Sequence, residues 1–120
     1  MPEKLVIMCT HGPEDPERAT IPFVMATAAQ ASDVEVVMGL QASAVLLARQ
    51  GVAASITAEG FPPLNDLVDA YVEAGGTLFL CGPCVKSRQL TPDQFVAGAT
   101  VINAATFVTH FASATNVLVY

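Results

Sequence analysis

Residues 77–90 read TLFLCGPCVKSRQL. Thr77–Cys81 is a short apolar run of the kind that forms a strand buried on both faces of a parallel sheet. It ends in the turn Cys81-Gly82-Pro83-Cys84. A C-x-x-C turn directly after a strand is compatible with a redox pair, a metal clip, a reactive single thiol or two inert cysteines. What surrounds it narrows the choice.

Upstream, Lys4–Thr10 (KLVIMCT) reads as a first buried strand and Val34–Leu40 as a second, β-branched one. Between them the acid-rich turn HGPEDPE leads into a helix running to about Ser32, its acids placed to favour the N-terminal dipole. Ala42–Gln50 reads as a short helix closed by Gly51, and Val52–Phe61 as a loop. Pro62-Pro63 opens a helix whose Leu64, Leu67, Val68, Tyr71 and Val72 share one face, opposite Asn65, Asp66, Asp69 and Glu73. Gly75-Gly76 ends it, and the third strand, Thr77–Cys81, follows. Downstream, Thr91-Pro92-Asp93 starts a short helix with Thr91 as cap. Ala99–Ile102 is a fourth strand, Ala104–Ala114 a helix and Asn116–Tyr120 a fifth strand.

The order β-α-β-α-α-β-α-β-α-β predicts one α/β domain over residues 1–120: a five-stranded parallel sheet, flavodoxin-like, with helices on both faces. It excludes a thioredoxin fold, in which C-x-x-C stands in the first third of the chain; here less than a third of the chain follows Cys84. Reactive groups of such sheets lie beyond the carboxyl ends of strands. A flavodoxin-like order makes the first and third strands neighbours, which would bring Cys9, His11, Cys81 and Cys84 to one edge.

The chain is 52% hydrophobic and 13% charged, with a net charge of −6. Its five basic residues form no run, which disfavours a nucleic-acid partner. No apolar stretch reaches the roughly 18 residues of a membrane span, and the first residues lack a signal-peptide pattern, so a cytoplasmic protein is expected. The apolar surplus on a small domain is an expectation of self-association. Three cysteines, an odd count without a secretory signal, favour catalysis or metal binding over structural disulfides. Cys81 is the leading nucleophile, with Lys86 and Arg88 close enough in sequence to lower its pKa. Cys9-x-His11 with Cys81-x-x-Cys84 is the alternative, a zinc-type ligand set. No nucleotide-binding pattern is present and no cofactor is expected. His110, among Phe107, Val108 and Phe111, reads as a packed or interface histidine.

Taken in order, THGPEDPERATIPFVMATAAQA, VVMGLQASAVLLARQGV, PPLNDLVDAYVEAGGTLFLC, CGPCVKSRQLTPDQFVAGATVI and NAATFVTHFASATNVLVY cover nearly the whole chain. Together they resemble the DsrE/DsrF-like sulfur-relay proteins, which include the TusD-type subunits. The resemblance implies a trimeric or hexameric carrier that exchanges sulfur with donor and acceptor proteins. It holds the sulfur as a persulfide on a cysteine after the third strand, here Cys81 by the spacing to Arg88. Cys84 would be an auxiliary thiol, and Cys9, His11, Lys86 and Arg88 would shape the pocket. Pro83-Cys84 and Arg88-Gln89 depart from the family's small or polar residues and Arg-Gly pair. Two other readings of the fold remain open, a non-catalytic oligomeric interaction module and a Cys/His metal-binding protein.

Overall fold

The computed structural model describes residues 3–120. Five strands, β1 (Lys4–Cys9), β2 (Glu35–Leu40), β3 (Leu78–Cys81), β4 (Ala99–Ile102) and β5 (Asn116–Val119), form one sheet. All four of its pairings are parallel. The helices are α1 (Pro16–Ala31), α2 (Leu64–Glu73), α3 (Gly82–Ser87) and α4 (Ala104–Ala112). This is the parallel α/β architecture expected from the sequence.

The strand order is β4-β3-β2-β1-β5. The expected contact between the first and third strands is therefore not made. β2 lies between them, and the chain reverses direction across the sheet at β1/β5. The first three crossovers each step to the adjacent position on one side. Only the last, through α4, runs back over the sheet to pair β5 with β1.

That asymmetry sets the two faces. Residues alternate along each strand, so Ile7, Cys9, Met38, Leu40, Leu78 and Leu80 point to one side. There they pack with Ala19 and Phe23 of α1, Leu64, Val68 and Tyr71 of α2, and Val85 of α3. The other side carries Val6, Met8 and Val37, packed under Phe107 of α4, with Phe79, Cys81 and Ile102 at the margin. Gly39 explains how α4 comes down so close. A Cβ at Gly39 would run into Met8 Sδ and the Phe107 ring, so glycine in mid-strand leaves room for a close approach.

Local signals account for the element ends. Asp15 caps α1, its carboxylate accepting from Arg18 N–H at 3.1 Å. Glu14, read from sequence as another capping acid, instead folds back onto Gly12 N–H and the Ser43 hydroxyl. Ala42–Ala48 is a 3-10 segment, with Arg49 extended after it. The expected α-helix capped by Gly51 does not form there. The turn after β3 also differs: helix α3 begins at Gly82 itself, and Thr91 caps only the 3-10 turn Pro92–Gln94, with Gln94 Oε1 accepting from Thr91 N–H at 2.9 Å. Leu67 and Val72 of α2 are half-buried against the core, whereas Leu64, Val68 and Tyr71 are fully inside. No helix of the described residues is long and apolar enough to cross a membrane.

Candidate functional site

β3 is short because the chain turns at Cys81. Leu78 and Leu80 bury on one face, so Phe79 and Cys81 fall on the other. Cys81 is the last residue of β3 and pairs with Ile102, the last of β4. Beyond it lies a cavity of about 260 Å³ between the carboxyl edge of the sheet and α4. Pro83, Ile102, Ala104, Phe107, Val108 and Phe111 supply apolar walls, and Gln41, Asn103 and Cys81 the polar groups. Asn103 is held as the N-cap of α4, its side chain accepting from Thr106 N–H at 2.9 Å.

Cys84 sits one helical turn on, half-buried, and does not line the cavity. Its Sγ accepts from Ala42 N–H at 3.2 Å, where Ala42 takes a left-handed φ of 52° at the start of the 3-10 segment. All three cysteines are free thiols. Burial pushes the Cys81 thiol up, and hydrogen bonding to the Cys84 thiol adds to this; the Cys84 amide and the Arg88 charge oppose it more weakly. The thiolate was expected to be favoured by Lys86 and Arg88. Both are exposed, and the Arg88 guanidinium is turned to Cys84 O at 3.2 Å and Ser87 Oγ at 3.3 Å, at the far end of α3. The desolvating apolar walls therefore outweigh the cations.

A raised pKa has a definite kinetic sign, because the thiolate is the nucleophile. Alkylation of Cys81 by iodoacetamide should still be climbing between pH 8 and 8.5, more steeply than for a thiol with the ordinary pKa of about 8.5. A rate already level below pH 7.5, followed by peptide mass spectrometry, would contradict the shift.

The other expected pocket residues do not join Cys81. Cys9 is fully buried on the opposite face of the sheet, with β2 between, and burial pushes its thiol far up. His11 lies in the loop after β1, its Nδ1 at 3.3 Å from Thr10 Oγ1. None of Cys9, His11, Lys86, Arg88 or Cys84 lines the cavity. Among the described residues no three His, Cys, Asp or Glu side chains gather as a metal site. The alternative zinc set of Cys9, His11, Cys81 and Cys84 is thus split, since its first cysteine faces the core on the other side.

Sequence reading missed Gln41, Asn103 and Phe107. The usable signal was Asn103 in the pattern I-N-A-A-T directly after a strand, which marks a helix N-cap at the carboxyl edge. His110 is half-buried and tilted against Phe79 with ring centroids 4.9 Å apart, and Lys4 Nζ lies 3.2 Å from its Nδ1. It packs as expected, away from the cavity.

A five-stranded parallel sheet in the order β4-β3-β2-β1-β5, flanked by helices, places the chain in a small α/β fold class. The chain belongs to the DsrE/DsrF-like family, whose model matches residues 3–120. It is 24% identical over 116 residues to the uncharacterized protein MK0008 of Methanopyrus kandleri, covering 97% of this chain and 93% of that one. It is 25% identical over 117 residues to the uncharacterized protein MJ0989 of Methanocaldococcus jannaschii, covering 98% and 99%. The fold is similar to that of the ychN protein from E. coli, with a TM-score of 0.84 at 19% identity over 98% of this chain and 99% of that one. It is also similar to MTH1491 from Methanobacterium thermoautotrophicum, a protein of unknown function, with a TM-score of 0.74 at 12% identity over 98% and 99%.

Proposed function

We propose that the protein is a sulfur-relay carrier that holds sulfane sulfur as a persulfide on Cys81. The observation that carries this is the placement of Cys81: it lines the cavity at the end of β3, whereas Cys9 and Cys84 do not. Cys84, on the next turn, is the auxiliary thiol. The reaction is an exchange at sulfur. The Cys81 thiolate attacks the outer sulfur of a donor persulfide, the donor's S–S bond breaks, and the donor thiolate leaves with the bonding pair. An acceptor protein's thiolate then takes the outer sulfur from Cys81 by the same step. Lys86, Arg88 and His11 stand outside the cavity, so any part they play is at the docking surface of such a partner. Free thiols suit a cytoplasmic setting. The test is incubation of reduced protein with a persulfide donor, followed by intact mass. One added sulfur mapping to Cys81 is expected, and no addition would end the proposal.

The carrier also self-associates in this reading, as a trimer or hexamer. Val108 on α4 is 59% exposed, and Val117 and Val119 on the edge strand β5 are 42% and 69% exposed. By strand alternation both β5 valines share the α4 side of the sheet, which a single nine-residue helix leaves partly bare. Light scattering at micromolar concentration should give several times the 12.5 kDa chain mass, and a monomer mass would remove this element.

A further inference from the structure

The cavity beside Cys81 also constrains which sulfur compound can use it. Resting on the carrier reading above, we infer that the donor entering this cavity is a small persulfide whose aliphatic or aromatic body carries no charge, taken up in its protonated form, and that donors with a charged body are selected against. Three observations converge. First, no lysine, arginine or histidine lines the cavity, and Arg88 is occupied at the far end of α3. An anion entering would lose water without gaining an ion pair, which is costly. Second, the chain carries a net charge of −6, which repels anions before contact. Third, the space is about 260 Å³, just below the roughly 300–1,000 Å³ typical of drug-sized ligands. Its walls, led by Phe107 and Phe111, suit one ring or a short alkyl chain, while the Gln41 and Asn103 amides can hydrogen-bond a neutral polar end.

The chemistry closes without a further reactant. In the protonated form of the donor, R–S–SH, the Cys81 thiolate forms a bond to the outer sulfur and the R–S–SH sulfur–sulfur bond breaks. The products are Cys81–S–SH and R–S⁻, which takes a proton from water. The raised affinity of Cys81 for its proton and the exclusion of charged bodies have the same cause, apolar walls with no cation among them.

The experiment compares benzyl persulfide, glutathione persulfide and thiosulfate as donors to the reduced protein. Loading of Cys81 is timed by intact mass, and each rate is divided by that donor's rate with N-acetylcysteine amide. Benzyl persulfide should load about tenfold faster than glutathione persulfide or thiosulfate, or more, on this scale, given the cost of desolvating the permanent charges those two carry. Ala104→Lys, at an exposed position on the cavity rim, should raise the rates of these two charged donors and narrow the ratio, and Ala104→Glu should widen it. Equal or faster loading from these two charged donors overturns the inference and leaves the carrier reading standing. So does faster loading from the persulfide of a neutral cysteine peptide, which would make a protein segment the donor. Failure of every donor, inorganic polysulfide included, removes the carrier reading itself and this inference with it.

Discussion

Cys81→Ser should lower sulfur loading from a persulfide donor by roughly a hundredfold or more, since a serine hydroxyl near neutral pH is a far weaker nucleophile than a thiolate. Cys84→Ser should leave loading nearly intact and lengthen the life of the persulfide. The asymmetry follows from where each sulfur points: Cys81 toward the cavity and Cys84 toward the Ala42 amide. The Cys84 thiol is nonetheless near enough to raise the proton affinity of Cys81. Once Cys81 carries sulfur, the Cys84 thiolate can attack the inner sulfur, form the Cys81–Cys84 disulfide and release hydrosulfide. That requires Cys84 to leave the Ala42 amide, so the step competes with transfer to an acceptor. Intact mass over time reads both outcomes. Loading of Cys81→Ser at the wild-type rate would remove Cys81 from the chemistry, and an unchanged persulfide lifetime in Cys84→Ser would remove Cys84 as its resolving thiol.

Most of the fold was legible because the strands are short, apolar and separated by strong breakers. Gly75-Gly76 before β3 and Asn103 after β4 mark element ends by backbone chemistry alone. Strand order was not legible. Every crossover carries an α-helix, and nothing in the local pattern says whether the third strand adds beside the first or the second. That single choice decided whether Cys9 could meet Cys81. Given the order and the parity of residues along β1 and β3, the two cysteines fall on opposite faces. Alternation within KLVIMC could not reveal this, because buried parallel strands are apolar on both sides. The sign of the Cys81 shift was hidden for a related reason. Lys86 and Arg88 are near in sequence, but α3 starts at Gly82 and carries both outward, whereas the desolvating wall comes from Phe107 and Phe111, more than twenty residues away.

Cys9 supplies the second large effect, in stability. It is completely buried beside Tyr71, and burial raises both groups' affinity for their protons. In the unfolded chain the Cys9 thiol ionises near pH 8.5, while in the fold it stays protonated well above that. The native state therefore binds more protons than the unfolded state once pH passes about 8.5, and stability falls as pH rises at a limiting slope of about 1.4 kcal/mol per pH unit. By pH 10 the loss from Cys9 alone is about 2 kcal/mol, a large share of the roughly 5–15 kcal/mol that holds a domain together. Tyr71 adds a loss of the same sign above about pH 10, its ordinary value, and a Cys9 thiolate would oppose its ionisation further. Urea unfolding at pH 7.5 and pH 10 measures the change. Cys9→Ala should be less stable at pH 7.5, because it leaves a small void in the core, yet should lose about 2 kcal/mol less than wild type on going to pH 10. Parallel losses in the two proteins would mean that Cys9 ionises in the native state as readily as in the unfolded chain, and would overturn the assignment.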